Sequence, residues 1–303
     1  MTDATKAPMT PKQQFPLRDL VEIRLAQISG QFGVVSAPLG AAMSDAALSP
    51  GKRFRAVLML MVAESSGGVC DAMVDAACAV EMVHAASLIF DDMPCMDDAR
   101  TRRGQPATHV AHGEGRAVLA GIALITEAMR ILGEARGATP DQRARLVASM
   151  SRAMGPVGLC AGQDLDLHAP KDAAGIEREQ DLKTGVLFVA GLEMLSIIKG
   201  LDKAETEQLM AFGRQLGRVF QSYDDLLDVI GDKASTGKDT GRDTAAPGPK
   251  RGLMAVGQMG DVAQHYRASR AQLDELMRTR LFRGGQIADL LARVLPHDIR
   301  RSA

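Results

Sequence analysis

Four aspartates, Asp91, Asp92, Asp97 and Asp98, fall within eight residues of the stretch EMVHAASLIFDDMPCMDDARTRR, 81–103. Like charges crowded this closely need cations among them. Oxygen-only donors suit Mg²⁺, which keeps several waters and bridges carboxylates to phosphate oxygens. Arg100, Arg102 and Arg103 follow at once, and planar guanidinium groups match phosphate geometry. The stretch implies a magnesium–diphosphate site at the mouth of an apolar helix.

A second acidic group lies in VFQSYDDLLDVIGD, 219–232. Asp224 and Asp228 are i and i+4, stacked on one helix face with Asp225 beside them. Such a pair is destabilising without a partner, so it makes the same demand for cations. Lys52, Arg53 and Arg55 head the apolar run that begins at Ala56. Cations oppose the macrodipole at a helix N-terminus, which points to an anion held between them and the helix end. His84 and Asp91 are seven apart, about two turns, and share a face. A lone histidine on an apolar helix is usually a core residue, but this placement aims His84 at the aspartates' cavity. Lys183 by itself ranks with any surface lysine, and Gln163, Asp164 and Asp166 read as a solvated helix end.

The elements that must position these groups are helical. Leu17, Leu20, Val21, Ile23, Leu25 and Ile28 recur at helical spacing, and an alanine-rich segment spans 38–48. An apolar helix covers 71–93 and breaks at Met93, because Pro94 disfavours helix in the residue before it. That break is required, since an unbroken helix would leave Asp91 and Asp97 about 120° apart. Further helices are expected over 112–135, over 140–168 with an interruption at Gly155-Pro156, over 176–200, from 203 to about 232, and from 256 to about 296. The segment 232–252, with Lys233, Lys238, Arg242, Lys250 and Arg251, has the length of a lid rather than a linker.

Composition agrees. Hydrophobic residues make up 46% and charged residues 24% of 303, with no Trp, two Tyr and eight Phe. A net charge of −1 excludes a globally basic nucleic-acid binder. The four cysteines, Cys70, Cys78, Cys95 and Cys160, lack CxxC spacing and read as reduced, mostly buried small hydrophobes of a cytoplasmic protein. The N-terminus, with prolines at 8, 11 and 16, is no secretory signal, and no uninterrupted apolar run approaches the ~20 residues of a membrane span. The expected organisation is a mobile arm, 1–16, followed by one all-α domain, 17–303.

The ordered set GKRFR, VHAASLI, DDMPCMDD, TRRG, KTG, QSYDDLLD and a GK-containing loop resembles one family, the short-chain trans-prenyltransferases or polyprenyl diphosphate synthases. DDMPCMDD is similar to their first aspartate-rich motif in its longer bacterial form, and QSYDDLLD to their second. The resemblance covers roughly residues 45–250. It implies a helical bundle of the isoprenoid synthase type with a central active-site cavity, usually a homodimer. It also implies Asp91, Asp97 and Asp224 as ligands of a cluster of Mg²⁺ ions, three in number, with Asp92, Asp225 and Asp228 ligating directly or through water. Arg102, Lys183, Thr184, Gln221 and Lys238 would hold an allylic diphosphate, and Lys52, Arg55, His84 and Arg103 would hold isopentenyl diphosphate. Thr101 stands where Leu is common, and Arg242 where Lys is usual; neither removes a charge. Ala86 and Ser87, five and four residues before the first aspartate, are small, which implies a deep channel and the C20 product, geranylgeranyl diphosphate. The stretch AVEMVHAASLIFDDMPCMDDA looks most like synthases that feed bacterial carotenoid pathways. The alternatives are a farnesyl diphosphate synthase or a terpene cyclase of the same fold, though a cyclase has no need of the Lys52, Arg55 and His84 set. A His-Asp phosphohydrolase would rest on His297-Asp298 alone. A non-catalytic partner subunit would be expected to have lost an acidic cluster.

Overall fold

The computed structural model describes residues 16–168, 178–179, 181–230, 259–282 and 285–297. The expected arm (1–16, save Pro16) and the expected lid, with Lys238 and Arg242, lie outside the described residues. The chain runs α1 (Leu17–Ser29), α2 (Ala37–Ala47), α3 (Phe54–Ser65), α4 (Asp71–Asp91), a two-strand hairpin of β1 (Thr101–Arg102) and β2 (Gln105–Pro106), then α5 (Thr108–His112), α6 (Glu114–Gly133), α7 (Pro140–Met154) and α8 (Leu159–His168). A π turn (Asp181–Gly185) leads into α9 (Val186–Lys199), followed by α10 (Lys203–Ile230), α11 (Met259–Leu276), a 3₁₀ turn (Arg280–Phe282) and α12 (Gln286–Val294). The all-α expectation holds. The cysteines expected to be mostly buried are not: Cys78 is buried, but Cys70 is half-buried and Cys95 and Cys160 are exposed, the last two lying in the turn after α4 and on the outer side of α8.

α4 is the axis of this bundle. It packs against α6, α3, α9, α1 and α2, so nearly every side is covered, including the alanines at 76, 77, 79, 85 and 86. Small side chains let the neighbouring helices approach closely. By length and mean hydropathy α4 would suit a membrane span, but 78% of that window is buried within the fold. Its apolarity is that of a core helix. α6 lies along it with Ala117, Ala120, Leu124 and Ala128 inward. Gly121 is needed there, because a Cβ would come within 2.5 Å of the Phe90 ring. The opposite face of α6 leaves Val118, Leu119 and Ile122 exposed.

Helix ends follow local chemistry. α7 begins with a full capping box, Thr139 with Gln142, and Pro140 at its first position. Gly155 and Pro156 separate α7 from α8, as expected. Three boundaries differ from expectation. The helix expected from 256 to about 296 ends at Leu276, and a 3₁₀ turn and the separate α12 follow it. α4 stops at Asp91 rather than Met93, because the chain turns back on itself there. The segment expected to be one helix over 176–200 is a π turn before a shorter α9, with residues 169–177 and 180 outside the described residues.

Candidate active site

The first acidic motif forms a compact loop closed by the end of α4. The Asp97 amide donates to the Asp91 carbonyl at 2.9 Å, Asp98 to Met93 at 3.0 Å and Ala99 to Asp92 at 3.2 Å. Asp98 closes it in the left-handed region, at φ 49°. The bend at Pro94 thus brings Asp97 back beside Asp91. The two adjacent aspartates diverge, as successive helical residues must. Asp91 takes the Lys183 Nζ at 3.3 Å. Asp92 is buried and accepts from Arg102 Nε at 3.0 and 3.2 Å, a forked pair that ties the hairpin to α4. Arg102, expected at the allylic diphosphate, is therefore engaged with Asp92.

The basic set at the head of α3 divides in two. Arg53 is buried, at φ 48°, and binds Glu22 at 3.0 Å and Glu81 at 3.7 Å. Glu81 Oε1 also accepts the Ala56 amide at 3.3 Å. The anion that the helix end demanded is thus partly supplied by the protein itself. Lys52 is exposed and Arg55 half-buried. Arg55 lies 4.8 Å from the Phe188 ring centroid, its Nη1 donates to His84 Nε2 at 3.4 Å, and its buried Nε has no acceptor among the described residues. Burial holds the His84 pKa well below the ordinary value, and Arg55, Arg103, Arg102 and Arg53 add to the effect. A neutral His84 with Nδ1 protonated accepts at Nε2 without competing for an anion. Arg103, also left-handed at φ 52°, donates to the Pro50 carbonyl at 3.1 Å. Its guanidinium rests on Gly51, where a Cβ would meet Nη1 at 2.7 Å. Of the set Lys52, Arg55, His84 and Arg103, the structure joins Arg55 to His84 directly and seats Arg103 against Pro50 and Gly51, the residues just before Lys52.

The second motif is joined to the first through the π turn. Lys183 reaches Asp91, while the next residue, Thr184, donates its hydroxyl to Gln221 Oε1 at 2.9 Å. Gln221 Nε2 donates in turn to Asp225 Oδ1 at 3.0 Å. Asp224 on the same helix is near enough to act on the Arg55 charge. Asp228 falls within α10, but its side chain lies outside the described residues. One dipeptide therefore spans from the acidic end of α4 to the acidic end of α10. Among the described residues, no three acidic, His or Cys side chains close into a metal cage. Carboxylates on two helix ends joined only through Lys183 and Thr184 fit an ion that keeps waters and takes oxygens from its substrate.

Three acidic side chains that hold the candidate site's cations escaped the sequence. Asp166 is buried and holds Lys183 Nζ at 2.7 Å. Burial works against the Lys183 charge, but Asp91 and Asp166 outweigh it and raise its pKa. Asp166 shares the buried face of α8 with Leu159 and Gly162, and an acid alone on an inward face was the available signal. Asp181, bound to Arg218 at 2.8 Å through both oxygens, and Glu81 gave no comparable pattern. Ala86 is fully buried, and Ser87 donates to the His84 carbonyl at 2.8 Å. A cavity of about 430 Å³ lies on the flank of α4, bordered by His84, Arg102 and Arg103 but not by Asp91, Lys183 or Asp224.

A helical bundle that sets two acidic helix ends around a lysine, beside a basic pocket, defines an isoprenoid synthase. The polyprenyl synthetase family matches residues 37–280, and the chain belongs to it. It is 44% identical over 225 residues to the geranylgeranyl diphosphate synthase of Pantoea ananas, covering 73% of this chain and 72% of that protein. It is 41% identical over 211 residues to that of Pseudescherichia vulneris, covering 67% and 66%. Among solved structures it superposes on an FPP/GFPP synthase from Zymomonas mobilis with a TM-score of 0.76 at 30% identity, covering 92% of this chain and 97% of that one. A geranyltransferase from Helicobacter pylori, complexed with magnesium and isoprenyl diphosphate, matches at a TM-score of 0.78 and 27% identity, covering 96% and 99%.

Proposed function

We propose that the protein is a geranylgeranyl diphosphate synthase, condensing isopentenyl diphosphate head-to-tail with an allylic diphosphate, farnesyl diphosphate in the last step. The observation that carries this is the Lys183–Thr184 link from Asp91 to Gln221 and Asp225. It places one cation and one hydroxyl between two acidic groups, the arrangement a bridged diphosphate requires.

Asp91 and Asp97 from one side, with Asp224 and Asp228 from the other, would hold Mg²⁺ against that diphosphate. When bound, Mg²⁺ stabilises charge developing on the leaving group. Lys183 is protonated and already at Asp91, so it can turn to the diphosphate once Asp91 has another cation. Thr184 and Gln221 orient the same group. The allylic C–O bond breaks, and its electron pair leaves with the diphosphate. Arg55 and Arg103 hold isopentenyl diphosphate, with neutral His84 as acceptor and Lys52 at the rim, so that its double bond attacks the cationic carbon. The apolar walls of α4 and α9 exclude the water that would quench that cation. Among the described residues no side chain stands as a general base, and the departing diphosphate fits the final proton acceptor.

A homodimer through the exposed face of α6, the ion count of three, a cytoplasmic location consistent with four free cysteines, and a role in carotenoid supply complete this reading. The test is transfer from radiolabelled isopentenyl diphosphate. Label should enter acid-labile prenyl products with Mg²⁺ and vanish with EDTA. Labelled product at full rate in EDTA, or none with Mg²⁺, would overturn it.

A further inference from the structure

The π turn is held from two sides by bare backbone. A Cβ on Gly162 of α8 would come within 2.6 Å of the Lys183 nitrogen and 2.8 Å of the Leu182 carbonyl carbon. A Cβ on Gly217 of α10 would come within 2.4 Å of the Gly185 Cα and 3.0 Å of its nitrogen. Both obstacles are backbone, so neither contact could be relieved by turning a side chain. Next to Gly217, Arg218 grips Asp181, the first residue of the turn, at 2.8 Å through both oxygens. One helical turn further, Gln221 accepts from Thr184. The same stretch of α10 therefore touches the turn at its first, fourth and fifth residues.

A π turn spaces its hydrogen bonds one residue wider than an α-helix and is the rarer, looser form. Left to itself, the segment would tighten into the α-helix that follows it. Each residue of an α-helix advances by about 100°, so a one-residue slip would swing Lys183 away from Asp91 and Thr184 away from Gln221.

We propose that Gly162 and Gly217 are positioning residues for the allylic half of the site. They clamp the π turn between α8 and α10, and the Arg218–Asp181 pair pins its start. The clamp fixes where Lys183 and Thr184 stand without itself touching substrate. This inference rests on the function proposed above for the substrate it names, but its geometric core does not.

Two readouts separate the two. The first needs no substrate: the rate at which an acetylating N-hydroxysuccinimide ester modifies Lys183, resolved by peptide mass spectrometry. Held between two carboxylates, Lys183 should react slowly in the unaltered protein, and several-fold faster in Gly217→Ala and Arg218→Gln. The second is kinetic. In both variants KM for the allylic diphosphate should rise, by up to roughly 100-fold for Gly217→Ala on the scale of an ångström misplacement. KM for isopentenyl diphosphate should stay within about twofold, since its residues lie on α3 and the turn before it, on α4 and in the hairpin. Arg218→Gln adds no atoms, so it decides the matter if Gly217→Ala does not fold. Unchanged Lys183 labelling, or equal changes in both KM values, would overturn the clamp. Changed labelling in a protein that transfers no prenyl group would uphold the clamp and overturn the function instead.

Discussion

Asp91 already holds a cation, the Lys183 ammonium at 3.3 Å, and Lys183 in turn leans on Asp166. Asp91 is therefore both a proposed metal ligand and the acceptor that keeps Lys183 in place. Asp91→Ala should lower kcat by roughly 10³-fold or more, the scale of a lost electrostatic contact in an active site, with unchanged far-UV circular dichroism; retained turnover would refute the assignment. His84 gives a second prediction, through pH. Its folded pKa lies below the unfolded value near 6.5, so between the two the unfolded chain binds more protons. The neutral histidine thus favours the fold above about pH 6.5, and that contribution is lost as pH falls towards the folded pKa. Tm should fall more steeply between pH 7 and 5 in the unaltered protein than in His84→Gln. Parallel curves would show that His84 is not held neutral.

At the scale of elements, the turn after α4 and the π turn before α9 place the chemistry. The first was legible: Pro94 breaks the helix, and six residues between Asp91 and Asp97 demand a bend. The second was not, because DLKTG carries no proline and its one glycine, Gly185, comes only at the end of the turn, while its π geometry comes from glycines far away in sequence at 162 and 217. The same limit explains Arg53. Three cations at the head of α3 announced an anion, but a buried Glu81 one helix away could not be told from a phosphate. Asp166 was visible only as a polar letter at a helix end until α8 was seen to turn it inward. Chain length belongs to this scale too. Ala86 is shut in on α4 with no exposed surface, one turn before Phe90, whose ring lies on Gly121 of α6. A larger residue at 86 must push into the space beside α4. Ala86→Tyr should shorten the product, as read by chromatography of the dephosphorylated alcohols. An unchanged distribution would show that position 86 does not bound the channel.

At the scale of the molecule, the helical periodicities marked most of the long helices, because an amphipathic helix writes its buried face into three- and four-residue steps; the hairpin, the π turn and the break before α12 left no such mark. How those helices surround α4 was not legible, since α4 is apolar on all sides and points to no single neighbour. α6 carries the opposite signal, with Val118, Leu119 and Ile122 exposed at 37%, 57% and 49% behind a well-packed inner face. An apolar stripe of this kind on a helical bundle fits an isologous contact with a second copy. Leu119→Asp with Ile122→Asp should halve the mass seen by sedimentation equilibrium, and an unaltered mass would place the contact elsewhere. The central claim, chain elongation to C20 between two acidic helix ends, has a more direct measurement. The protein is incubated with Mg²⁺, isopentenyl diphosphate and farnesyl diphosphate, and the product alcohols are sized by mass spectrometry. Geranylgeraniol should dominate; farnesyl diphosphate recovered without a C20 product would contradict it.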